Sequence, residues 1–163
     1  MNKDNLPAAQ TTDIQEIKIQ LTNQFVTFYY GKHFFGLPID VVIEINRFLE
    51  ITPVPLASDY VAGIVNLRGH ILTAINLGLR IGLLSSFSQG ENRTFFNIIM
   101  GNREEPMSLL VEKIGDVMTI PRDKIEPPPE ILTGVDKKYV KFICKLPGQL
   151  LTILDWEALQ NVN

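Results

Sequence analysis

The chain has 163 residues with a formal net charge of −3, 45% apolar side chains, one cysteine (Cys144) and two histidines (His33 and His70). That length suits one domain or two small halves, and it can bury a core without staples. The acidic balance argues against a nucleic-acid binder, a lone cysteine excludes an internal disulfide or a multi-cysteine zinc site, and no apolar run reaches the ~18 residues of a membrane helix.

Residues 1–21 are polar and mixed and read as a flexible N-terminal tail, with room for a helical turn from Ile14 to Leu21 and no apolar stretch of signal-peptide length. From Phe25 to Tyr30 the chain is aromatic and β-branched, which favours a strand. Gly31-Lys32 reads as a tight turn and His33 to Pro38 as the returning strand. Asp40 to Asn46 fits either a short helix capped by Asp40 or more strand. Phe48 to Val54 reads as extended, closed by Pro53 and Pro55. Val61 to Leu67 and His70 to Leu77 are apolar runs around Arg68-Gly69, a hairpin signal. Gly78 to Leu83 fits a helical turn, and Ser85 to Asn92 a polar loop. Thr94 to Met100 and Met107 to Glu112 read as strands around a polar turn, and Lys113 to Ile120 follows, ahead of Pro121 and the Pro127–Pro129 run. Tyr139 to Leu146 and Gln149 to Asp155 form a last hairpin around Pro147-Gly148, and Trp156 to Leu159 a closing helical turn. Short elements with frequent turn signals predict an all-β barrel or sandwich.

The chain also reads as two copies of one plan. Phe25–Gly31 aligns with Phe95–Gly101 at an offset of 70, Val42–Ile45 with Ile114–Val117 at 72, Val61–Ile64 with Leu132–Val135 at 71, and Gly69–Asn76 with Gly148–Asp155 at 79. Each copy carries about five short strands, enough for a small closed barrel that hides its edges. The expectation is two similar barrels with a concave apolar seam between them, a usual place for partners or ligands.

Catalytic patterns are missing from the sequence. There is no Gly-x-Gly-x-x-Gly, no phosphate-cradling loop at Gly31-Lys32 and no Gly-x-Ser-x-Gly elbow. His33 and His70 fall beside turns with no evident nucleophile, and Cys144 reads as a buried thiol. Glu104-Glu105 read as a solvated tip, and Lys137, Lys138, Lys141 and Lys145 as a solvated basic face, an acidic partner being the sharper alternative. Two features point to a docking surface. Asn66, Arg68 and His70 gather at the hairpin turn, where a guanidinium beside apolar surface suits an interface anchor as well as an ordinary turn residue. Glu44 interrupts the apolar run Val41–Ile45; it is either a solvated carboxylate or the partner of Arg68 across the structure.

The runs Phe35–Ile45, Ile51–Pro55, Val61–Gly69 with its Asn-Leu-Arg-Gly signature, Leu109–Val117 and Gln149–Asp155 resemble the CheW family of chemotaxis coupling proteins over residues 22–160. The resemblance implies an all-β fold of two pseudo-symmetric five-stranded SH3-like barrels with minor short helices. It implies a non-enzymatic cytoplasmic adaptor, without cofactor or metal, that couples the cytoplasmic tips of chemoreceptors to the histidine kinase CheA in receptor arrays near the inner membrane. The kinase's regulatory domain would bind through apolar barrel ends and the receptor helix would lie in the seam. On this footing Glu44 and Arg68 form a charged pair near the partner surface, Val41 and Val42 add apolar contacts, and Asn66, Leu67 and Gly69 shape the hairpin. Family members often carry proline where this chain has Thr73, so the second hairpin strand is expected to be more regular here. A small-molecule sensor using the seam is the alternative reading.

Overall fold

The computed structural model describes residues 23–83, 94–132 and 134–161. The expected tail, its helical turn and the Ser85 to Asn92 loop lie outside the described residues. In chain order the strands are β1 (Gln24–Tyr30), β2 (His33–Pro38), β3 (Val42–Asn46), β4 (Ile51–Thr52), β5 (Val61–Leu67), β6 (His70–Asn76), β7 (Phe96–Met100), β8 (Met107–Val111), β9 (Lys113–Thr119), β10 (Ile125–Glu126), β11 (Val140–Leu146) and β12 (Gln149–Leu154). Two short helices follow the last strand of each half, α1 (Leu77–Ile81) and α2 (Trp156–Gln160). Each is capped by a side-chain oxygen just before it: Asn76 accepts from the Leu79 amide and Asp155 from the Ala158 amide. The Asp40 to Asn46 ambiguity resolves into a 3-10 turn, Ile39–Val41, running into β3. Asp40 lies inside that turn and caps nothing; Pro38 precedes it, without a side-chain cap. The extended reading of Phe48 to Val54 narrows to the two residues of β4.

The strands form two sheets of six, in the orders β10-β11-β12-β2-β1-β9 and β3-β7-β8-β6-β5-β4. Both must curl. The edge strands β3 and β4 are consecutive in the chain, and the step from Asn46 to Ile51 spans at most roughly 18 Å. Six flat strands would hold those edges about 24 Å apart. Edge strands β9 and β10 are joined almost as closely, the step from Thr119 to Ile125 through the 3-10 turn Arg122–Lys124 spanning at most roughly 22 Å. The two-barrel architecture therefore follows from chain length and topology.

Neither barrel is one sequence half. β1 and β2 pair with β9 through β12, while β7 and β8 pair with β3 through β6. In each barrel the halves meet through one parallel contact, β12 with β2 or β6 with β8, and one antiparallel contact, β1 with β9 or β3 with β7. The registers also correct the repeat. Phe28 faces Ile114 as Met100 faces Val42, and Val26 faces Val117 as Ile98 faces Ile45, so β1 and β7 correspond at an offset of 72, not 70. The Val42 and Glu44 alignment at 72 holds. The alignment of Val61–Ile64 with Leu132–Val135 fails: Val61 faces Ile75 and Val140 faces Leu154, each followed by the same register shift, so β5 corresponds to β11 at 79.

The largest apolar cluster joins the barrels. Phe28, Tyr30, Phe35 and Leu37 from one sheet pack with Ile75, Ile98, Met100 and Leu109 from the other, all fully buried. The Tyr30 hydroxyl crosses this core to donate to Asn76 Oδ1 at 2.8 Å, satisfying two buried polar groups at once. Smaller clusters belong to single barrels, Phe25, Phe34, Cys144, Leu151 and Ile153 in one and Val65, Leu72, Ala74, Ile99 and Leu110 in the other. The centre of the seam, expected to be concave, is thus filled by the chain's own side chains.

Candidate functional site: the open end of the second barrel

The β5–β6 hairpin builds one wall of the site. Its loop is the pair Arg68-Gly69, with φ of 51° and 87°, and Leu67 faces His70 across it. Positive φ at both positions is the turn whose twist matches antiparallel strands. Gly69 adopts it freely, whereas Arg68 does so against the preference of L side chains. Asn66 steadies the turn by accepting from the Gly69 amide at 2.9 Å. Val65 is buried and Leu67 half-buried against the barrel core, while Asn66 is exposed, which is the alternation expected of a half-buried strand.

From this turn Arg68 Nη1 donates to Glu44 Oε2 at 2.6 Å, across to β3. The other carboxylate oxygen accepts from Asn46 Nδ2 at 2.6 Å. The hydrogen bond from Arg68 and then that from Asn46 hold the Glu44 carboxyl below its ordinary range, and the same pairing pushes the guanidinium up. Arg68 remains 73% exposed and Glu44 only 23%. The carboxylate is thus held against the barrel wall while the arginine extends into solvent.

Glu44 and Arg68 border a cavity of about 680 Å³ at the end of the barrel. Its floor is apolar, with Leu72, Ile75, Ile99 and Met107 buried beneath it. Its far rim is the β7–β8 turn, Arg103 to Pro106, and Gln160 from α2. Ile71 stands on the near rim, 59% exposed.

Of the residues singled out from sequence, Glu44, Leu67 and Arg68 meet around this cavity, and Asn66 and Gly69 hold the turn that presents them. Val41 does not join them. It is buried, and its carbonyl accepts from the Gly101 amide at 2.9 Å, so it is a core residue that anchors the β7–β8 turn. Val42 is half-buried against the inter-barrel core. Sequence reasoning missed Ile71, Arg103 and Gln160 as parts of the rim. Only Ile71 had a signal, an isoleucine at an outward position of a strand whose Leu72 and Ala74 point in. Glu104 and Glu105 are exposed, as expected of a tip, and they also line the cavity.

Comparison with known proteins decides the relationship. The family model of the CheW-like domain matches residues 24–162. The chain belongs to the CheW-like domain family. A chemotaxis protein CheW from Treponema pallidum is 29% identical over 137 residues, covering 83% of this chain and 81% of that protein. One from Thermotoga maritima is 30% identical over 124 residues, 74% of each chain. A crystal structure of the scaffolding protein TtCheW from Thermoanaerobacter tengcongensis superposes with a TM-score of 0.77 at 30% identity, covering 87% of this chain and 94% of that one. The CheW fold thus accounts for the paired barrels, and the chain takes its place among the adaptor proteins of chemotaxis signalling.

Proposed function

We propose that this CheW-type chain couples the cytoplasmic tips of chemoreceptors to a CheA-type histidine kinase, working by binding alone at receptor arrays near the inner membrane. The observation that carries the proposal is the barrel-end cavity: an apolar floor, an exposed Ile71 and a presented guanidinium held by Glu44 make a docking surface with a central apolar anchor and a charged rim. The regulatory domain of the kinase is the partner assigned to this end. The receptor tip helix is assigned to the outer edge of the seam, where Val42, Phe95 and Ile114 are partly exposed over the shared core. Signal would pass as a change in how the two partners are held relative to one another.

The test is a reconstituted assembly of receptor fragment, kinase and this protein. Arg68→Glu is expected to leave the fold intact, because the turn side chain is largely exposed, and to abolish kinase activation. Full activation by that variant would remove Arg68 from the interface. Failure of the wild-type chain to pull down either partner would overturn the proposal as a whole.

A further inference from the structure

The junction of the two barrels contains a group that none of the contacts above explains. Arg80, in the last turn of α1, places its guanidinium 4.4 Å from the Tyr60 ring centroid and 5.2 Å from that of Tyr139. These tyrosines are 79 residues apart and correspond in the repeat. Tyr60 O accepts from the Asn76 amide and Tyr139 O from the Asp155 amide, at 2.8 and 2.9 Å. Arg80 therefore sits between matching rings of the two halves. Its Nη2 donates to the carbonyls of Ala158 and Asn161, at 3.3 and 2.7 Å, gripping the C-terminal end of α2. Its Nε is buried without a hydrogen-bond partner among the described residues. Such a group is costly, and it persists where the other contacts of the side chain fix its position.

The same short helix is held from its other side. Gln160 Oε1 accepts from the Asn102 amide at 3.0 Å, and its Nε2 donates to the Glu105 carbonyl. Both partners belong to the β7–β8 turn that forms the far rim of the cavity. Gly101, at φ 102°, makes room for this grip, since a Cβ there would strike the Gln160 amide. Val41 ties down the start of the same turn by accepting from the Gly101 amide.

We propose that Arg80 and Gln160 make α2 a clamp that links the barrel junction mechanically to the rim of the barrel-end cavity. A change in how the barrels meet at Tyr60 and Tyr139 reaches the Arg103–Pro106 rim through Arg80, the two α2 carbonyls and the Gln160 amide. The linkage stands on the chain's own contacts. Its meaning for signalling, a route from the seam to the kinase-binding end, rests on the function proposed above.

Amide hydrogen exchange on the free, full chain tests the clamp without any partner. Arg80→Met keeps the aliphatic stem and removes the cation–π contacts and both carbonyl contacts. It is expected to raise exchange at the Asn102 amide roughly fivefold, the equivalent of one neutral hydrogen bond. Gln160→Ala should do the same, and in the double variant Arg80→Met should add nothing further at that amide, as residues acting through one linkage are not additive. Wild-type exchange at Asn102 in Arg80→Met, or two effects that simply multiply, would overturn the inference. Should Arg80→Met fail to fold, the surface change Gln160→Ala decides alone, because coupling is reciprocal. The ring resonances of Tyr60 and Tyr139 should then shift, and unmoved rings would overturn the clamp. Pull-down of kinase and receptor by the wild-type chain separately decides the coupling role.

Discussion

Arg68 reaches Glu44 at 2.6 Å from a backbone conformation, φ 51°, that asparagine or glycine would adopt more readily. The turn would be at least as easily formed by Asn-Gly, so the arginine is there for its side chain. Arg68→Asn is accordingly expected to hold or raise the urea midpoint while weakening activation of the kinase. A fall in the midpoint together with full activation would reverse this assignment.

The pair also sets a pH dependence. The Glu44 carboxyl is held below its ordinary value of 4.5 in the folded chain, by Arg68 first and Asn46 second. A depressed carboxyl contributes stability that is present above the unfolded value and is lost as pH falls through the folded one. The difference in urea midpoint between wild type and Glu44→Gln should therefore be constant near neutral pH and shrink on acidification below that value. Because the pair is exposed on the arginine side, the difference should also shrink with added salt.

Gly63 holds β4 against β5. Its φ is 151°, and a Cβ there would run into the backbone carbonyl of Thr52, which cannot move aside without unpairing the strands. Gly63→Ala should cost about 2–4 kcal/mol in chemical denaturation, among the larger effects of a single substitution. A loss within the range of ordinary surface changes would mean that β4 peels away freely.

Ile71 is 59% exposed on the cavity rim. Ile71→Asp should leave thermal stability within the small range of surface substitutions and reduce kinase binding in titration calorimetry by ~10-fold or more, as expected of an exposed apolar anchor beside the cavity. Unaltered binding would place the kinase elsewhere.

Cys144 is fully buried, and desolvation pushes its thiol pKa up. Ellman's reagent should leave the native chain unlabelled for as long as it stays folded and react promptly in urea, so the labelling rate reports opening of the first barrel. Rapid labelling of the native chain would contradict the burial.

The strands were legible because their alternation and turn residues are local. The closing helices were legible as single turns at Gly78 to Leu83 and Trp156 to Leu159, and their ends are displaced by one or two residues in the structure. The repeat was legible in outline only. An error of two residues at Phe25 keeps every side chain on its proper face, so hydrophobic pattern cannot distinguish 70 from 72. The match of Gly63 to Gly134 followed a shared glycine, although Gly63 lies inside a strand and Gly134 before one. Which strand pairs with which was beyond pattern altogether, because β2 has the same alternation whether its neighbour comes from its own half or the other. The Glu44–Arg68 pair could be suspected from a carboxylate stranded in an apolar run. The rim could not, since Arg103 and Gln160 reach the cavity from a turn and a helix more than 30 residues downstream of Arg68.

The parallel contact of β2 with β12 joins the beginning of the fold to its end. A nascent chain that has made its first hairpin must leave it half-dressed until β12, more than 100 residues later, has left the ribosome. The barrel of β3 to β8 is contiguous in the chain and can pair its strands earlier, yet splitting the gene at its internal duplication, between β6 and β7, would divide both barrels and give two unfinished pieces in place of two small proteins.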